Sequence, residues 1–236
     1  MSSISAQTVK QFTEQYKFGS PFDLDNESAY QAWRENKLEN YPSKIDDLIV
    51  EVNNPKVLTS AEHNAIQTRV IKTNMAIYAG STGADPDKNI PVKLGEQFGL
   101  TELDYNMGGD EGVTSLKVVA GQWRSGYIPY TDKPIHWHTD GYYNPPQHQI
   151  RSLFLHCVSA AVKGGENALL DHEVAYIHLR DSNPDFIRAL MKNDAMTIPA
   201  NIVNKKEIRP AQTGPVFSIL DDGNLHMRYT ARTRSI

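Results

Sequence analysis

The stretch that decides the fold and the chemistry of this chain is Pro134-Ile-His-Trp-His-Thr-Asp-Gly141. If it forms a β-strand, side chains alternate between its two faces, so His136, His138 and Asp140 lie together on one face. An imidazole and a carboxylate at this spacing can bind one cation, and they supply two members of the facial triad that holds ferrous iron. His138 and Asp140 are therefore a candidate half of a non-haem iron site. A hydrolase or isomerase that uses the three polar side chains on zinc or manganese is an alternative at this point.

Short strands separated by turns are predicted on both sides of this stretch, from about residue 114 onward. The predicted strands are residues 115–119, 135–140, 150–158, 168–170, 196–198 and 216–220. One helix interrupts them, and it begins at Pro184 with Asn183 as its N-cap. A succession of short strands is typical of a barrel or a jelly roll.

The first half of the chain has a mixed pattern of helices and strands. A helix capped by Asp25 or Asn26 precedes a buried strand at residues 48–52. Thr59 and Glu62 form a capping-box pattern, which predicts the start of a second helix. In that helix, a stripe at helical spacing is predicted to face the core: Ile66, Val70, Ile71 and Met75.

Length and charge exclude several classes of function. A chain of 236 residues can form one domain with a sizeable core, and no sequence repeat or linker marks a second domain. The formal net charge is −4 with scattered lysines and arginines, which gives no basic surface for nucleic acid. No apolar stretch approaches the roughly 18 residues of a membrane span.

Cysteine content and the N-terminal residues favour a cytoplasmic protein. Cys157 is the single cysteine, which excludes an intrachain disulfide and any multi-thiolate metal site. It lies in the apolar stretch 153–158, where a buried, inert thiol is predicted. The start of the chain has neither the basic residues nor the apolar run of a signal peptide, and a reducing cytoplasm fits both observations.

Several short motifs follow one another along residues 134–236. They are Trp137-His-Thr-Asp140, Pro145-Pro146, Leu155-His-Cys157, Gly164-Gly-Glu-Asn167 with Asp171 after it, Asn183-Pro184, and Arg228-Tyr-Thr-Ala-Arg-Thr-Arg234. Together they resemble the taurine dioxygenase and chlorophenoxyacetate dioxygenase (TauD/TfdA) family of Fe(II)- and 2-oxoglutarate-dependent oxygenases, including its γ-butyrobetaine hydroxylase branch. Residues 1–113 match the family only loosely.

The resemblance implies an α+β, mainly β fold, with a double-stranded β-helix (jelly roll) core and flanking helices. Residues 1–236 then form one dioxygenase domain, in which residues 1–113 are a mixed helix/strand flanking region and residues 114–236 the first part of the jelly-roll core. The implied activity is hydroxylation of a small organic substrate, with decarboxylation of 2-oxoglutarate to succinate and CO2. Fe(II) is the implied cofactor, and 2-oxoglutarate and O2 are the implied co-substrates.

The same resemblance gives roles to individual residues. His138 and Asp140 would be two of the three iron ligands. Asn167 stands where many relatives have a threonine, and its amide would hydrogen-bond the 2-oxoglutarate carboxylate. His136 is not a usual ligand in the family, and it is expected beside the ligands or in the substrate pocket.

The substrate is expected to be a small molecule, and the sequence leaves two classes open. An anionic substrate would need a cation, for which Arg124 and Arg228 are candidates, although a surface position is expected for both. Tyr142 and Tyr143 are expected to wall the substrate pocket or to pack around the barrel mouth. As a pair they could instead receive the quaternary ammonium group of a betaine through cation–π contacts. The sequence also leaves room for a homo-oligomer.

The family pattern also contains a distal histidine that completes the triad and, after it, an arginine that binds the far carboxylate of 2-oxoglutarate. Both belong beyond the motif that ends this chain, so the jelly roll is expected to be incomplete at its C-terminal end. His226, with Arg232 or Arg234, is a candidate substitute. If the triad is incomplete, the alternative is a catalytically inactive jelly-roll protein with a binding or regulatory role.

Overall fold

The computed structural model describes residues 19–104, 112–119 and 128–231. The helices are α1 (Glu27–Leu38), α2 (Ser60–Thr73), α3 (Asn89–Glu96), α4 (His172–Ser182) and α5 (Pro184–Leu190). The strands are β1 (Ile49–Val52), β2 (Ile77–Gly80), β3 (Met196–Ile198), β4 (Asn201–Val203), β5 (Lys206–Arg209), β6 (Gln212–Gly214), β7 (Phe217–Ile219) and β8 (Leu225–Met227). Short 3₁₀ helices lie at Ile45–Leu48, Ile128–Tyr130 and Pro146–His148.

Helix α1 begins where the sequence predicts, with Asn26 as its N-cap. The Asn26 side chain accepts a hydrogen bond from the backbone N–H of Ala29 at 3.1 Å. This bond satisfies one of the donors that the first turn of a helix leaves unpaired. Tyr30 and Trp33 lie about one turn apart and are both buried, so α1 packs on the core with one face.

Strands β1 and β2 form a parallel pair in which Ile49 lies opposite Ile77. Parallel strands need a crossover connection, and α2 provides it. Val50 and Val52 of β1 and Ile66 of α2 form a small buried cluster between the sheet and the helix. The strand predicted ahead of the second helix is therefore confirmed.

The capping box at the start of α2 is confirmed. The Thr59 hydroxyl accepts a hydrogen bond from the backbone N–H of Glu62, and the Glu62 carboxylate accepts one from the backbone N–H of Thr59. The same carboxylate accepts a hydrogen bond from the backbone N–H of Asn53 at 2.8 Å. These bonds, led by the one from Asn53, hold the pKa of Glu62 below its usual value.

The predicted core-facing stripe of α2 is wrong in part. The helix buries Glu62, Ile66 and Thr73, whereas Val70 is 43% exposed and Ile71 is 57% exposed. At 3.6 residues per turn, the three buried residues share one side of the helix, while Ile71 lies opposite them. The two-stranded sheet covers only that one side of α2, so the apolar residues elsewhere on the helix remain in solvent.

The main core joins α1, α4 and α5 to β3, β7 and β8. Its centre is the Tyr176 ring, which makes edge-to-face contacts with Phe22 and Phe217, both with ring centroids 5.5 Å apart. Tyr142, which follows the His-x-Asp stretch, belongs to the same cluster. The stretch that decides the chemistry is therefore anchored to the core on its C-terminal side.

The C-terminal strands pair antiparallel as β3–β6, β4–β5 and β7–β8, and every sheet in the described ranges has two strands. The strands predicted at residues 196–198 and 216–220 are confirmed as β3 and β7, and the helix capped by Asn183 is confirmed as α5. The combination of helices and small sheets agrees with an α+β protein. The described strands do not by themselves establish a jelly roll.

Other strand predictions are wrong. Residues 115–119, 150–158 and 168–170 have irregular backbone, and residues 135–140 contain a single isolated β-bridge. A strand persists only where a neighbouring strand takes its backbone hydrogen bonds, and these stretches form no ladder within the described ranges. Their apolar side chains are largely in solvent: Leu116, Val118, Leu153, Leu155, Leu169 and Leu170.

Cys157 is exposed, so the prediction of a buried thiol is also wrong. It lies in the irregular stretch 150–158, in which His156 contacts Tyr78 of β2 while the side chain of Cys157 faces solvent. Among the helices of the described ranges, none is long and apolar enough to cross a bilayer.

Candidate metal centre

His138 and Asp140 lie side by side, as their spacing predicts. The Nε2 atom of His138 is 3.4 Å from the Oδ1 atom of Asp140. The Nδ1 atom of His138 is 2.7 Å from the carbonyl oxygen of His136. A carbonyl can only accept a hydrogen bond, so Nδ1 carries a hydrogen, and Nε2 is the ring nitrogen that faces the carboxylate.

This arrangement fits a metal ion. An imidazole nitrogen and a carboxylate oxygen at this separation can bind one cation together. Two ligand atoms at adjacent corners around an ion about 2.1 Å from each would lie about 3 Å apart, close to the observed separation. The hydrogen bond from Nδ1 to a backbone carbonyl is also the usual outer contact of a metal-binding histidine.

The backbone holds this pair in a bridge and a turn rather than in a strand. We call residues 137–142 the metal turn. His138 forms an isolated antiparallel bridge with Thr230, the N–H of Thr139 donates to the carbonyl of Tyr229 at 2.9 Å, and the N–H of Ala231 donates to the carbonyl of Trp137 at 2.9 Å. The predicted strand 135–140 is therefore reduced to one bridge, and the alternation expected for a strand does not describe how the two ligands meet.

Gly141 makes the turn possible. Its φ is +63°, a left-handed conformation that residues with a Cβ atom rarely adopt. A Cβ atom at this position would also clash with the Cγ1 atom of Ile150. The N–H of Asn144 closes the turn by donating to the carbonyl of Gly141 at 2.7 Å.

His136 is exposed, and its contact with the candidate ligands comes through its backbone carbonyl, which accepts the hydrogen bond from His138. A backbone carbonyl is available to any residue type, so this contact does not depend on the imidazole of His136. A direct role for that imidazole in the substrate pocket stays a prediction.

The tyrosine pair lies beside the candidate ligands. The Tyr142 ring makes an edge-to-face contact with the His138 ring at 6.4 Å and another with the Tyr143 ring at 5.1 Å. Tyr142 is buried in the main core, so it supports the imidazole from behind. Burial raises the pKa of Tyr143, and the negative charge of Asp140 adds to the effect.

Arg209 is a cation that the sequence did not single out. Its guanidinium lies over the Tyr143 ring at 5.7 Å, and it donates to the carbonyls of Pro199 and Pro210. A row of contacts thus runs from His138 through the two tyrosines to Arg209. Arg209 lies on β5, which pairs with β4. No local pattern in the sequence predicts that this pairing brings Arg209 to the tyrosines.

Arg228 is buried, with 7% of its surface exposed, so the surface position expected for it is wrong. Its guanidinium donates to the backbone carbonyls of Met196 (2.6 Å), Tyr142 (3.0 Å) and Gly214 (3.1 Å). Burial lowers its pKa. These contacts commit Arg228 to the protein backbone and do not support the predicted contact with substrate.

Asn167 is exposed, and its side-chain amide donates to the carbonyl of Gly165 at 3.3 Å. Gly164 and Gly165 both have positive φ, so the motif forms a glycine turn in solvent. A hydrogen bond from Asn167 to 2-oxoglutarate stays a prediction.

The third iron ligand is not found in the described ranges, where no group of three His, Cys, Asp or Glu side chains could hold a metal ion. His226, the proposed substitute, lies in β8 with its Nε2 atom 3.3 Å from the carbonyl of Ile150, and burial lowers its pKa. The structure therefore does not bring His226 together with His138 and Asp140. Arg124, Arg232 and Arg234 lie outside the described residues.

The two best-defined cavities within the described ranges lie away from the metal turn. An open hollow of about 350 Å³ lies at the start of α2, lined by Leu58, Thr59, Ser60, His63, Asn64 and Gln97. A small cavity of about 20 Å³ lies beside Arg228 and Gly214. Neither lining includes His138 or Asp140, so the ligand geometry, and not a cavity, identifies the candidate site.

Comparison with protein families agrees with this geometry. The model of the family described as "Taurine catabolism dioxygenase TauD, TfdA family" matches residues 82–236. The chain therefore belongs to the TauD/TfdA family, whose dioxygenases use Fe(II) with 2-oxoglutarate and O2 as co-substrates.

Two curated relatives carry the same name. A uridine-5'-phosphate dioxygenase from Amycolatopsis sp is 38% identical over 98 residues, which cover 40% of this chain and 33% of that protein. A uridine-5'-phosphate dioxygenase from Streptomyces sp is 30% identical over 142 residues, which cover 57% of this chain and 48% of that protein. The matched part of this chain thus spans between a third and a half of the length of these relatives. No solved structure matches the chain.

Proposed function

We propose that this chain carries half of the iron site of an Fe(II)- and 2-oxoglutarate-dependent oxygenase that hydroxylates a small organic molecule. The observation that carries the proposal is the His138–Asp140 pair: a ring nitrogen and a carboxylate oxygen 3.4 Å apart, with the opposite ring nitrogen tied to a carbonyl. Membership of the TauD/TfdA family supports the same function. The family and the named relatives do not favour the alternative of an inactive binding or regulatory protein.

When bound, Fe(II) with 2-oxoglutarate and O2 supplies the oxidation: one oxygen atom enters a substrate C–H bond as hydroxyl, and the other enters succinate as CO2 is released. The residues of this chain do the rest. His138 and Asp140 each offer one donor atom to the metal, and the carboxylate offsets part of its positive charge. Tyr142 supports the imidazole, and Tyr143 covers the neighbouring surface. Asn167 is proposed to hydrogen-bond 2-oxoglutarate.

The substrate that we propose is a phosphate-bearing nucleotide, in line with the relatives named uridine-5'-phosphate dioxygenase. Arg209 lies beyond Tyr143 and, unlike Arg228, is only partly buried, so its guanidinium can contact a phosphate in addition to the two backbone carbonyls that it binds. The same contact argues against a betaine, because the Tyr143 face that a quaternary ammonium group would occupy already faces the guanidinium. The γ-butyrobetaine branch is thus the less favoured alternative within the family.

Binding of the metal tests the iron site directly. Purified chain is titrated anaerobically with Fe(II) in the presence of 2-oxoglutarate, and the variant His138→Ala is compared with His178→Ala, which removes an exposed histidine from α4. We expect His138→Ala alone to lose binding. Equal binding by both variants would contradict the assignment of His138.

Turnover tests the reaction and the substrate. Succinate is measured in a protein that supplies the third ligand, such as a fusion of this chain to the C-terminal part of the Amycolatopsis relative. We expect uridine 5'-phosphate to increase succinate formation and γ-butyrobetaine not to. An increase with γ-butyrobetaine alone would reverse the choice of substrate, and no succinate from a folded, iron-loaded fusion would contradict the oxygenase.

A further inference from the structure

The metal turn is held on two sides by one short segment, residues 228–231, which we call the clamp segment. On the side before Asp140, its backbone pairs with the turn through the two hydrogen bonds between Thr139 and Tyr229 and between Ala231 and Trp137. The hydroxyl of Thr139 adds a third bond by accepting from the N–H of Tyr229 at 3.1 Å. This pairing fixes the backbone on which His138 is carried.

On the side after Asp140, the clamp segment acts through a side chain. The Nη1 atom of Arg228 donates to the carbonyl of Tyr142 at 3.0 Å, two residues beyond Asp140. Its Nη2 atom donates to Met196 and Gly214, which belong to the paired strands β3 and β6. Arg228 therefore ties the exit of the metal turn to a sheet that lies outside it.

The residue type suits this task. The planar guanidinium has five N–H donors in a fixed fork, so it can bind carbonyls from separate segments at once. A lysine in its place would offer a single rotating ammonium group and could not reproduce that geometry. The guanidinium is also buried, so its donors need protein acceptors, and four carbonyls supply them: those of Tyr142, Met196 and Gly214, and that of Pro215, which accepts from Nε at 3.4 Å.

We propose that Arg228 is a positioning residue for the candidate iron ligands: together with the backbone pairing of residues 229–231, it holds the metal turn so that Asp140 stays beside His138. This inference rests on the proposed function, because it assumes that His138 and Asp140 bind a metal ion. Its structural content, that Arg228 stabilises the metal turn locally, does not depend on oxygenase activity.

Amide hydrogen exchange of the metal-free chain tests the proposal. Arg228→Met removes the donors and keeps an apolar stem, and Arg180→Met is the matched control. Arg180 is buried to a similar degree and binds the carbonyl of Pro21 at 2.9 Å, but it lies on α4. We expect Arg228→Met to speed exchange at the Thr139 and Ala231 amides about tenfold or more relative to Arg180→Met. Equal exchange in the two variants would overturn the proposal.

A second variant keeps the test decisive if loss of a buried arginine prevents folding. Thr139→Val removes the hydroxyl acceptor at a partly exposed position with little change in shape. We expect it to speed exchange at Ala231 by a smaller factor than Arg228→Met, while amides of α4 remain unchanged. Unchanged exchange at Ala231 would argue against a clamp.

Metal binding supplies a readout that a purely structural role would not move. Mn²⁺ alone is added, and paramagnetic broadening of the His138 side-chain signals is followed by NMR. We expect Arg228→Met to need about tenfold more Mn²⁺ than Arg180→Met for the same broadening, and Arg228→Lys to recover only part of the loss. If exchange responds as expected but no variant binds Mn²⁺, the clamp stands and the proposed iron site fails. If exchange does not respond, the clamp fails whatever the metal does.

Discussion

Two pairs of ionisable side chains differ sharply in their surroundings. Lys37 on α1 lies 2.8 Å from Asp171, the N-cap of α4, and it also contacts Glu173. The side chains of Lys37 and Asp171 are 5% and 2% exposed. The His138–Asp140 pair is longer, at 3.4 Å, and its side chains are 28% and 45% exposed.

The buried pair is satisfied on every side. Asp171 also accepts hydrogen bonds from the hydroxyl of Tyr41 at 2.9 Å and from the amide of Asn74 at 2.9 Å. The amide of Asn74 reaches Glu173 as well, at 2.8 Å. A buried ion pair is tolerated only when such bonds meet its remaining donors and acceptors. This network joins α1, the end of α2 and α4, so it serves the fold.

The comparison teaches that chemistry is expected where a pair lies open to solvent. Asp140 is nearly half exposed and Nε2 of His138 faces it, so a cation can approach both atoms from solvent. Loss of a charge should therefore destabilise the protein at the first pair and weaken metal binding at the second.

The largest effect is expected at the buried pair. Lys37→Met leaves the carboxylates of Asp171 and Glu173 buried without a cation, which should lower the free energy of unfolding by about 3–5 kcal/mol. Lys93→Met is the control, because Lys93 pairs with Glu96 in solvent, and it should cost about 0.5 kcal/mol or less. Urea unfolding measures the free energy of unfolding of both variants. Equal losses would contradict the expected difference between the buried and the exposed ion pair.

At the open pair, the effect should fall on metal affinity. Asp140→Asn removes the anionic ligand and should weaken Fe(II) or Mn²⁺ binding about 100-fold or more, since even outer contacts of metal ligands are worth 10–100-fold. The free energy of unfolding should change by about 1 kcal/mol at most, because the pair is exposed. Calorimetry and urea unfolding give the two numbers, and a large loss of stability would make the pair structural.

Gly141→Ala tests whether the backbone turn at Gly141, rather than the contact between His138 and Asp140, maintains the geometry of the candidate metal site. Positive φ and the clash with Ile150 should together cost about 2 kcal/mol. Gly83→Ala is the control, because Gly83 has a φ of +59° but open space around its Cα. It should cost about 1 kcal/mol. Thermal unfolding measures the difference, and equal costs would show that Ile150 does not restrict the turn.

The smallest expected effect is a pH dependence of the free energy of unfolding that comes from Tyr41 in the buried network around Asp171. Burial, with the negative charge of Asp171, raises the pKa of Tyr41 above its usual value. The folded state therefore favours the neutral phenol, so its contribution is present below the unfolded pKa of about 10 and is lost as the pH rises above it. Tyr41→Phe should cost about 1 kcal/mol at neutral pH. The free energy of unfolding of this variant should then fall less steeply above pH 10, and identical slopes would contradict the shift.

Local signals were read correctly from the sequence. Asn26, Thr59 and Asn183 cap the helices that they predict, because a cap needs only a side-chain oxygen and a backbone N–H within three residues. His138 and Asp140 do lie close together as expected, but a bridge and a turn bring them together and not the strand from which the expectation came.

Distant contacts could not be read in the same way. Thr139 pairs with Tyr229, which lies 90 positions away in the chain, and neither residue type predicts contact with the other. Arg228 can be buried because four carbonyls converge on it from distant parts of the chain, and they come together only after folding. Exposure of Val70 and Ile71 likewise depends on how little of α2 the small sheet covers.

The irregular apolar stretches around Leu153 and Leu155 have a practical consequence for anyone who handles the protein. Backbone that forms no ladder and carries exposed aliphatic side chains can recruit a second chain through edge-to-edge pairing. The exposed thiol of Cys157 lies in the same stretch and can lock such an encounter by air oxidation. Concentrated, unreduced samples should therefore form covalent dimers and then insoluble aggregates, and a thiol reductant with low protein concentration should keep the chain in solution.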